Sequence, residues 1–140
     1  MAPSPLLVTA AVLHHAGKVL IAQRLDTSAI EPGKWEFPGG KVRWGEDPRQ
    51  CLMREVEEEL ALRITIGDIF CVSSHVYNKS LPSEVHVVLL VYLATYGGGN
   101  HVLRECKNAV WVCPHELPKY SFAAADIPIC TRIETQSFLF

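Results

Sequence analysis

A segment that predicts an amphipathic helix constrains the fold of this 140-residue chain more than any other feature. Asp47 and Pro48 are residue types that cap a helix and occupy its first position. Apolar side chains then recur on one helical face, as Leu52, Val56 and Leu60. We therefore expect a helix from Asp47 to about Leu60 whose apolar side packs against the core.

Three glutamates crowd the edge of that apolar face. On a helix, Glu58 and Glu59 lie within about 60° of Glu55, whereas Glu57 points to the far side. Glu55 is followed four residues later by Glu59, a like-charge pair that costs about 0.2–0.5 kcal/mol. The only basic neighbour is Arg54, and one cation cannot neutralise three carboxylates. A hard divalent cation such as Mg²⁺ could, because it prefers oxygen ligands. A plain solvated charged surface is the alternative.

The segment before this helix strengthens the metal-site hypothesis. A short strand, Trp35–Phe37, is predicted to stop at Pro38-Gly39-Gly40. Glycines let backbone carbonyls approach a ligand or a metal, and Lys41 offers positive charge to a phosphate. Alone, a Gly-Gly-Lys string is typical of an ordinary turn.

The rest of the pattern predicts a mixed α/β domain with a curved sheet and two main helices, spanning residues 1–140 without an internal repeat or linker. The predicted strands besides Trp35–Phe37 are Leu6–His14, Lys18–Gln23, Ile64–Val72, Val85–Ala94 and Ala109–Val112. Asp26–Lys34 is predicted to be a loop, Ala16-Gly17 a hairpin turn and Tyr96–Asn100 a turn, and the closing helix is predicted from about Asp126 to Ser137.

Composition indicates the cellular compartment of the protein and the kinds of partner to expect. Lysine and arginine number 13 against 15 acidic residues, a net charge of −2, whereas nucleic-acid surfaces normally need a basic excess. The five cysteines form no CxxC pair, which argues against a disulfide framework or a zinc site and favours the reducing cytoplasm. The apolar run Leu6–Leu13 is too short to cross a bilayer and lacks the basic start of a signal peptide. We expect a cytoplasmic protein without nucleic-acid or membrane partners.

Residues 40–62 resemble the Nudix box. This stretch reads Gly40, five residues, Glu46, seven residues, Arg54-Glu55-Val56-Glu57-Glu58-Glu59, one residue, Ala61-Leu62. The family pattern is Gly-x5-Glu-x7-Arg-Glu-U-x-Glu-Glu-x-Gly-U, in which U is a bulky aliphatic residue. Ala61 stands where the pattern has glycine. If that glycine ends the helix in a left-handed turn, alanine there costs about 1–2 kcal/mol; otherwise the helix continues slightly further.

The resemblance implies a fold and a chemistry. The Nudix fold is an α/β (α+β) fold in which a mixed, curved β-sheet is sandwiched between helices. Its enzymes hydrolyse a phosphoanhydride in nucleoside diphosphates linked to a further group, using Mg²⁺, with Mn²⁺ as a substitute. By resemblance, the metal ligands are the Gly40 carbonyl and the side chains of Glu55, Glu58 and Glu59. Glu46 and Arg54 would hold those ligands in place.

Outside the box, the chain is similar to the MutT branch of the family. Arg24 matches a phosphate-contacting arginine. Glu105 lies six residues before Trp111, as does a loop glutamate that serves MutT as a metal ligand or general base; a surface loop glutamate is the alternative. The segment that resembles MutT's substrate-binding stretch contributes Glu36, Phe37, Gly39 and Lys41.

Asp126 falls where MutT carries an asparagine that reads the base, and Ala124-Ala125-Asp126-Ile127-Pro128 also resembles the related CTP pyrophosphohydrolases. An ionised aspartate accepts a hydrogen bond from the exocyclic amine of cytosine or adenine. A protonated one could face an oxidised guanine. Capping of the last helix is the alternative role for Asp126, and the two roles can coexist.

These observations predict a Mg²⁺-dependent nucleoside triphosphate pyrophosphohydrolase that releases a nucleoside monophosphate and pyrophosphate. The expected substrates are 8-oxo-dGTP or cytosine nucleotides, removed to clean the nucleotide pool. The alternatives are hydrolysis of a dinucleotide or nucleotide sugar, and a nucleotide-binding Nudix module without catalysis. Glu55, Glu58 and Glu105 all remain candidates for the general base, and the chain is expected to be a monomer or homodimer.

Overall fold

The computed structural model describes residues 3–136 and 140. The described chain forms a seven-stranded sheet and two α-helices. The strands are β1 Leu6–His15, β2 Lys18–Gln23, β3 Trp35–Glu36, β4 Gly39–Lys41, β5 Arg63–Tyr77, β6 Val85–Gly98 and β7 Asn108–Val112. The helices are α1 Pro48–Leu60 and α2 Ile127–Thr135, and two 3₁₀ turns span Pro114–Lys119 and Ala124–Asp126.

The sheet is mixed, as expected. Its main path runs β3-β2-β1-β6-β5, and β4 pairs with β1 while β7 pairs with β2. The long central pair, β1 with β6, is parallel, whereas β1 with β2 and β5 with β6 are antiparallel. The β5–β6 register shifts between Ile66 and Ile69 and again between Ile69 and Cys71. Such irregularities bend a strand and increase its twist.

The helices cover opposite faces of this sheet. Successive side chains of β1 alternate between the two faces, because a strand repeats every two residues. Ala10 and Val12 belong to one buried cluster, and Ala11 and Leu13 belong to the other. The apolar side chains of α1 join the second cluster, and those of α2 join the first. The predicted sandwich of a mixed sheet between helices is confirmed.

Several predicted boundaries are wrong. Strand β5 extends to Tyr77 and β6 to Gly98, so most of the predicted turn at Tyr96–Asn100 is strand. Gly39–Lys41 was expected to end a strand but forms β4, which pairs with Val8–Ala10 of β1. Helix α2 begins at Ile127, and its predicted end, Ser137, lies outside the described residues.

The ends of α1 follow the sequence closely. The Asp47 carboxylate accepts hydrogen bonds from the backbone N–H groups of Arg49 at 2.8 Å and Gln50 at 3.3 Å. At the other end, Ala61 adopts φ 56° and ψ 31°, and its N–H bonds to the Glu57 carbonyl. The helix therefore stops where the family pattern places glycine, with alanine in the left-handed conformation. Within residues 3–136, no helix is long and apolar enough to cross a membrane.

Candidate active site

Arg54 organises the carboxylates at the start of the site. Its Nε donates to Glu46 at 2.8 Å, and its Nη1 donates to Glu55 at 2.8 Å and to Glu58 at 3.1 Å. The Arg54 guanidinium, together with the Arg43 N–H, lowers the pKa of Glu46 to about 2. The hydrogen bonds and charges of Glu46 and Glu55 in turn raise the pKa of Arg54. Arg54 thus joins Glu46 to Glu55 and Glu58, and a fixed guanidinium orients the carboxylates it bonds.

Gly40 is held tightly against α1. A methyl group at Gly40 would overlap the carboxyl group of Glu55, so only glycine allows this approach. The Thr9 hydroxyl donates to the Gly40 carbonyl oxygen at 3.2 Å, and the Cys51 thiol donates to the Lys41 carbonyl at 3.3 Å. Thr9 and Cys51 are both buried and were not predicted as site residues. The available signal was a lone hydroxyl in the apolar run of β1.

The loop before β7 is fastened to the end of α1. The backbone N–H groups of Val102 and Arg104 donate to the carbonyls of Leu60 at 2.9 Å and Glu59 at 3.1 Å. The Arg104 guanidinium donates to the Glu57 carbonyl at 3.3 Å. The two backbone bonds satisfy the Glu59 and Leu60 carbonyls, which have no partner inside the helix. The loop also brings Glu105 to the same cavity as Glu59. Local sequence patterns could not predict this docking.

Arg24 and Glu36 form an ion pair in the wall of the site. Arg24 Nη1 donates to Glu36 at 3.0 Å, and Arg24 Nε donates to the carbonyl of Ile30 at 2.9 Å. Burial raises the pKa of Glu36, and the charge of Arg24 opposes that shift. Arg24 was predicted to contact phosphate, and Glu36 was predicted to belong to a substrate-binding stretch. The structure pairs these two residues with each other.

The Asp126 side chain points at the segment Trp35–Lys41, predicted to bind substrate, and does not bond to α2. Its Oδ2 accepts a hydrogen bond from the Phe37 N–H at 3.0 Å, and its side chain makes no capping bond to the helix. Asp126 does stand at the N-cap position of α2, but the alternative that its side chain caps this helix is wrong. Phe37 stacks on Phe122, with ring centroids 5.4 Å apart, next to this contact. Burial raises the pKa of Asp126 well above its usual range; Glu36 adds to the shift and the Phe37 N–H opposes it.

One cavity of about 390 Å³ brings most of these groups together. Its volume falls within the range of about 300–1,000 Å³ that is typical of small-molecule sites. Every predicted site residue lines it except Glu46, Glu58 and Arg54, which are joined to Glu55 through the Arg54 ion pairs. The predicted residues in its wall are Arg24, Glu36, Phe37, Gly39, Gly40, Lys41, Glu55, Glu59, Glu105 and Asp126.

Glu59 lies among other carboxylates in this cavity. Burial raises the pKa of Glu59 to about 9, and the nearby charges of Glu36, Glu55 and Glu105 act in the same direction. Arg54 is bonded to Glu46, Glu55 and Glu58 and forms no ion pair with Glu59 within the described chain. The cavity therefore holds more carboxylate charge than its own cations neutralise.

This donor set suits a hard divalent cation. Carboxylate and carbonyl oxygens from Glu55, Glu59, Glu105 and Gly40 border one cavity, and such ligands fit Mg²⁺ or Mn²⁺. Over residues 3–136, no three acidic, histidine or cysteine side chains already form a cation cage. The Arg54 guanidinium engages Oε1 of Glu55 and Oε2 of Glu58, so the second oxygen of each carboxylate is left to ligate a metal.

Comparison with known proteins identifies the family. The NUDIX domain profile matches residues 4–132. The chain is 35% identical over 122 residues to a CTP pyrophosphohydrolase from Escherichia coli K12, covering 87% of this chain and 86% of the relative. It is 30% identical to an 8-oxo-dGTP diphosphatase from Haemophilus influenzae, covering 88% of both chains.

Solved structures agree with the sequence match. The solution structure of the E. coli ORF135 protein aligns with a TM-score of 0.76 at 35% identity, covering 93% of this chain and 89% of that chain. A crystal structure of a MutT NUDIX hydrolase from Burkholderia pseudomallei aligns with a TM-score of 0.81 at 27% identity, covering 94% and 99%. The chain therefore belongs to the Nudix hydrolase family, and it resembles the MutT-like and CTP pyrophosphohydrolase-like members.

Proposed function

We propose that residues 1–140 form one Nudix domain that hydrolyses nucleoside triphosphates to a nucleoside monophosphate and pyrophosphate, with Mg²⁺ as its cofactor. The proposed substrates are modified or non-standard nucleotides, such as 8-oxo-dGTP or cytosine nucleotides. Removing them would clean the nucleotide pool of the cytoplasm, the reducing compartment that the five unpaired cysteines favour. The observation that carries this proposal is the single cavity shared by the α1 carboxylates and by Asp126.

The two groups of residues suit the two parts of a nucleotide. Arg24 and Glu36 line the same cavity as Glu59 and Asp126, and the charges of this ion pair act on both of those carboxyl groups. A triphosphate at the α1 carboxylates would leave its base near Asp126 and the Phe37–Phe122 stack. This arrangement suits a ligand that has a strongly anionic triphosphate at one end and a flat, polar base at the other.

Nudix hydrolases generally need a divalent metal. We propose that the Gly40 carbonyl and the side chains of Glu55, Glu58, Glu59 and Glu105 hold it. A divalent cation, when bound, would neutralise phosphate charge and lower the pKa of a water molecule. Because Gly40 lacks a side chain, the Glu55 carboxylate can remain beside the Gly40 carbonyl. Thr9 and Cys51 fix the carbonyls of Gly40 and Lys41, and Arg54 keeps Glu55 and Glu58 oriented.

The chain's own carboxylates would move the proton and balance the charge. A carboxylate at Glu55, Glu58 or Glu105 can accept the proton of the attacking water, because each belongs to the same acidic group. Lys41 is an exposed residue of β4 in the cavity wall, so its side chain can approach the outer phosphates. Arg24 is a further candidate for phosphate contact, although Glu36 already binds its Nη1.

Asp126 is our candidate for the residue that distinguishes bases. Its carboxylate is fixed by the Phe37 N–H and lines the cavity, so one edge is available to a ligand. Its raised pKa favours the protonated form, which both donates and accepts hydrogen bonds. The similarity to a CTP pyrophosphohydrolase and to an 8-oxo-dGTP diphosphatase supports base-dependent selection, and it leaves the preferred base open.

A panel of substrates tests this function. Triphosphates of cytosine, adenine, guanine and 8-oxoguanine are incubated with Mg²⁺ beside a dinucleotide and a nucleotide sugar, and pyrophosphate is measured separately from orthophosphate. We expect pyrophosphate and a monophosphate from at least one triphosphate at a rate well above that for the other two classes. Orthophosphate as the product, or cleavage of the dinucleotide alone, would refute the proposal.

A further inference from the structure

Two buried polar side chains of β5 bind the turn that carries Asp126. Ser73 Oγ donates to the Ala125 carbonyl at 2.6 Å, and the Ala125 N–H donates to Tyr77 Oη at 2.9 Å. Both polar backbone groups of Ala125 are therefore bonded to one strand. Ser73 and Tyr77 are 6% and 9% exposed, and their four-residue separation puts them on the same face of β5.

The same turn is also bound to the substrate segment. The Ala123 N–H donates to the Trp35 carbonyl at 2.9 Å, and the Trp35 N–H donates to the Ser121 carbonyl at 2.9 Å. Asp126 Oδ2 then accepts from the Phe37 N–H at 3.0 Å. Asp126 thus follows directly after a residue held by β5 and bonds to a residue next to β3.

Apolar side chains at the positions of Ser73 and Tyr77 would be buried on folding without the loss of hydrogen bonds between a hydroxyl group and water. Burying a hydroxyl is unfavourable unless it is hydrogen-bonded. In the described structure, the bonds of both hydroxyls go to the backbone of Ala125. A group that distinguishes ligands must be held within about 0.5 Å of its working position. The two hydroxyls supply that restraint for the residue before Asp126.

We propose that Ser73 and Tyr77 are positioning residues for base selection. They fix the Ala124–Asp126 turn from the β5 side, so that the Asp126 carboxylate meets the base at a defined distance. This inference rests on the proposed function, because it requires Asp126 to contact the base. Base selectivity would then depend on two hydroxyl groups of β5, although Asp126 itself bonds to Phe37, next to β3.

Binding of nucleoside monophosphates isolates this role from metal chemistry. Dissociation constants of CMP, AMP, GMP and 8-oxo-dGMP are measured by calorimetry with a chelator present. The variants are Ser73→Ala and Tyr77→Phe, each of which removes one oxygen atom. The matched controls are Ser74→Ala, an exposed serine of the same strand, and Tyr92→Phe, a buried tyrosine of β6. Thermal melting verifies that each variant is folded at the assay temperature.

We expect Ser73→Ala and Tyr77→Phe each to reduce the ratio of the weakest to the tightest dissociation constant by about fivefold, the effect of one lost hydrogen bond. Both controls should keep the wild-type ratio. In an Asp126→Ala background, Tyr77→Phe should change the ratio no further, because the two residues act through one contact.

The opposite results overturn the inference. If folded Ser73→Ala and Tyr77→Phe both keep the wild-type ratio, the hydroxyls serve the core alone. If Tyr77→Phe changes the ratio equally with and without Asp126, Tyr77 acts by itself. Failure of the proposed function looks different: the wild type then releases no pyrophosphate from any triphosphate, whatever the monophosphate binding shows.

Discussion

Replacing Ala61 with glycine is expected to stabilise the protein, although alanine is usually the better helix former. Ala61 ends α1 at φ 56° and ψ 31°, in the left-handed region. A residue with a Cβ atom pays about 1–2 kcal/mol for that conformation. Glycine avoids this cost but loses more backbone entropy on folding, and this loss lowers the free energy of unfolding by about 0.4–1 kcal/mol. The net gain in the free energy of unfolding is therefore about 0.5–1 kcal/mol.

That gain corresponds to a small but measurable change in Tm. Unfolding entropy is about 2.1 cal/mol/K per residue, so for a chain of this length the gain raises Tm by about 2–3 °C. Calorimetric melting in a chelator measures it without a contribution from bound metal. The matched control is Ala29→Gly in the exposed loop before β3, where φ lies outside the left-handed region. This control should leave Tm unchanged or lower it.

A result in which Ala61→Gly lowers Tm as much as Ala29→Gly would refute the reasoning. It would mean that alanine pays no conformational cost at the end of α1. Three bonds from the following residues also fix this end of the helix, because Ala61, Val102 and Arg104 donate to its last carbonyls. They are present in both proteins, so they do not enter the difference between alanine and glycine.

Two further changes test the site. Gly40→Ala should lower turnover by about hundredfold while Tm changes little, because its methyl group displaces the Glu55 carboxylate from its working position; wild-type turnover in this variant would contradict the assigned contact. Asp126→Asn should flatten the dependence of Tm on pH in a chelator. Burial raises the folded-state pKa of Asp126 above its unfolded value, so its stabilising contribution is present at low pH and is lost as the pH rises through the folded pKa. Above the ordinary pKa of aspartate, the wild-type Tm should therefore fall more steeply with rising pH than that of Asp126→Asn, and parallel curves would contradict the shift.

The sequence predicted those parts of the structure that depend on local patterns. The helix α1, its Asp47 cap, its apolar face and its end at Ala61 all follow from residues within one segment. The mixed sheet between helices followed from the Nudix resemblance and from the alternation of helical and strand patterns. Residues 3–136 support each of these predictions.

The remaining features depend on contacts between distant residues. Strand β5 was predicted too short because Ser73 and Tyr77 face the core, which breaks the expected alternation of apolar and polar residues. Gly39–Lys41 becomes a strand only because β1 offers it a pairing edge. Asp126 was expected to read the base, with capping of α2 as the alternative; its side chain makes no capping bond and instead bonds to Phe37, which lies 89 residues earlier. Local propensity carries no information about such partners.

Pyrophosphate release by three glutamate variants tests the catalytic role of α1 most directly. Glu58→Gln and Glu59→Gln remove proposed metal ligands, whereas Glu57→Gln makes the same chemical change on an exposed position of the same helix. With saturating Mg²⁺ and a triphosphate that the wild type cleaves, we expect Glu58→Gln and Glu59→Gln to lose at least about hundredfold in rate. Glu57→Gln should stay within about twofold, as surface substitutions usually do. Wild-type rates in folded Glu58→Gln and Glu59→Gln, or an equal loss in all three variants, would contradict a metal site on this face of α1.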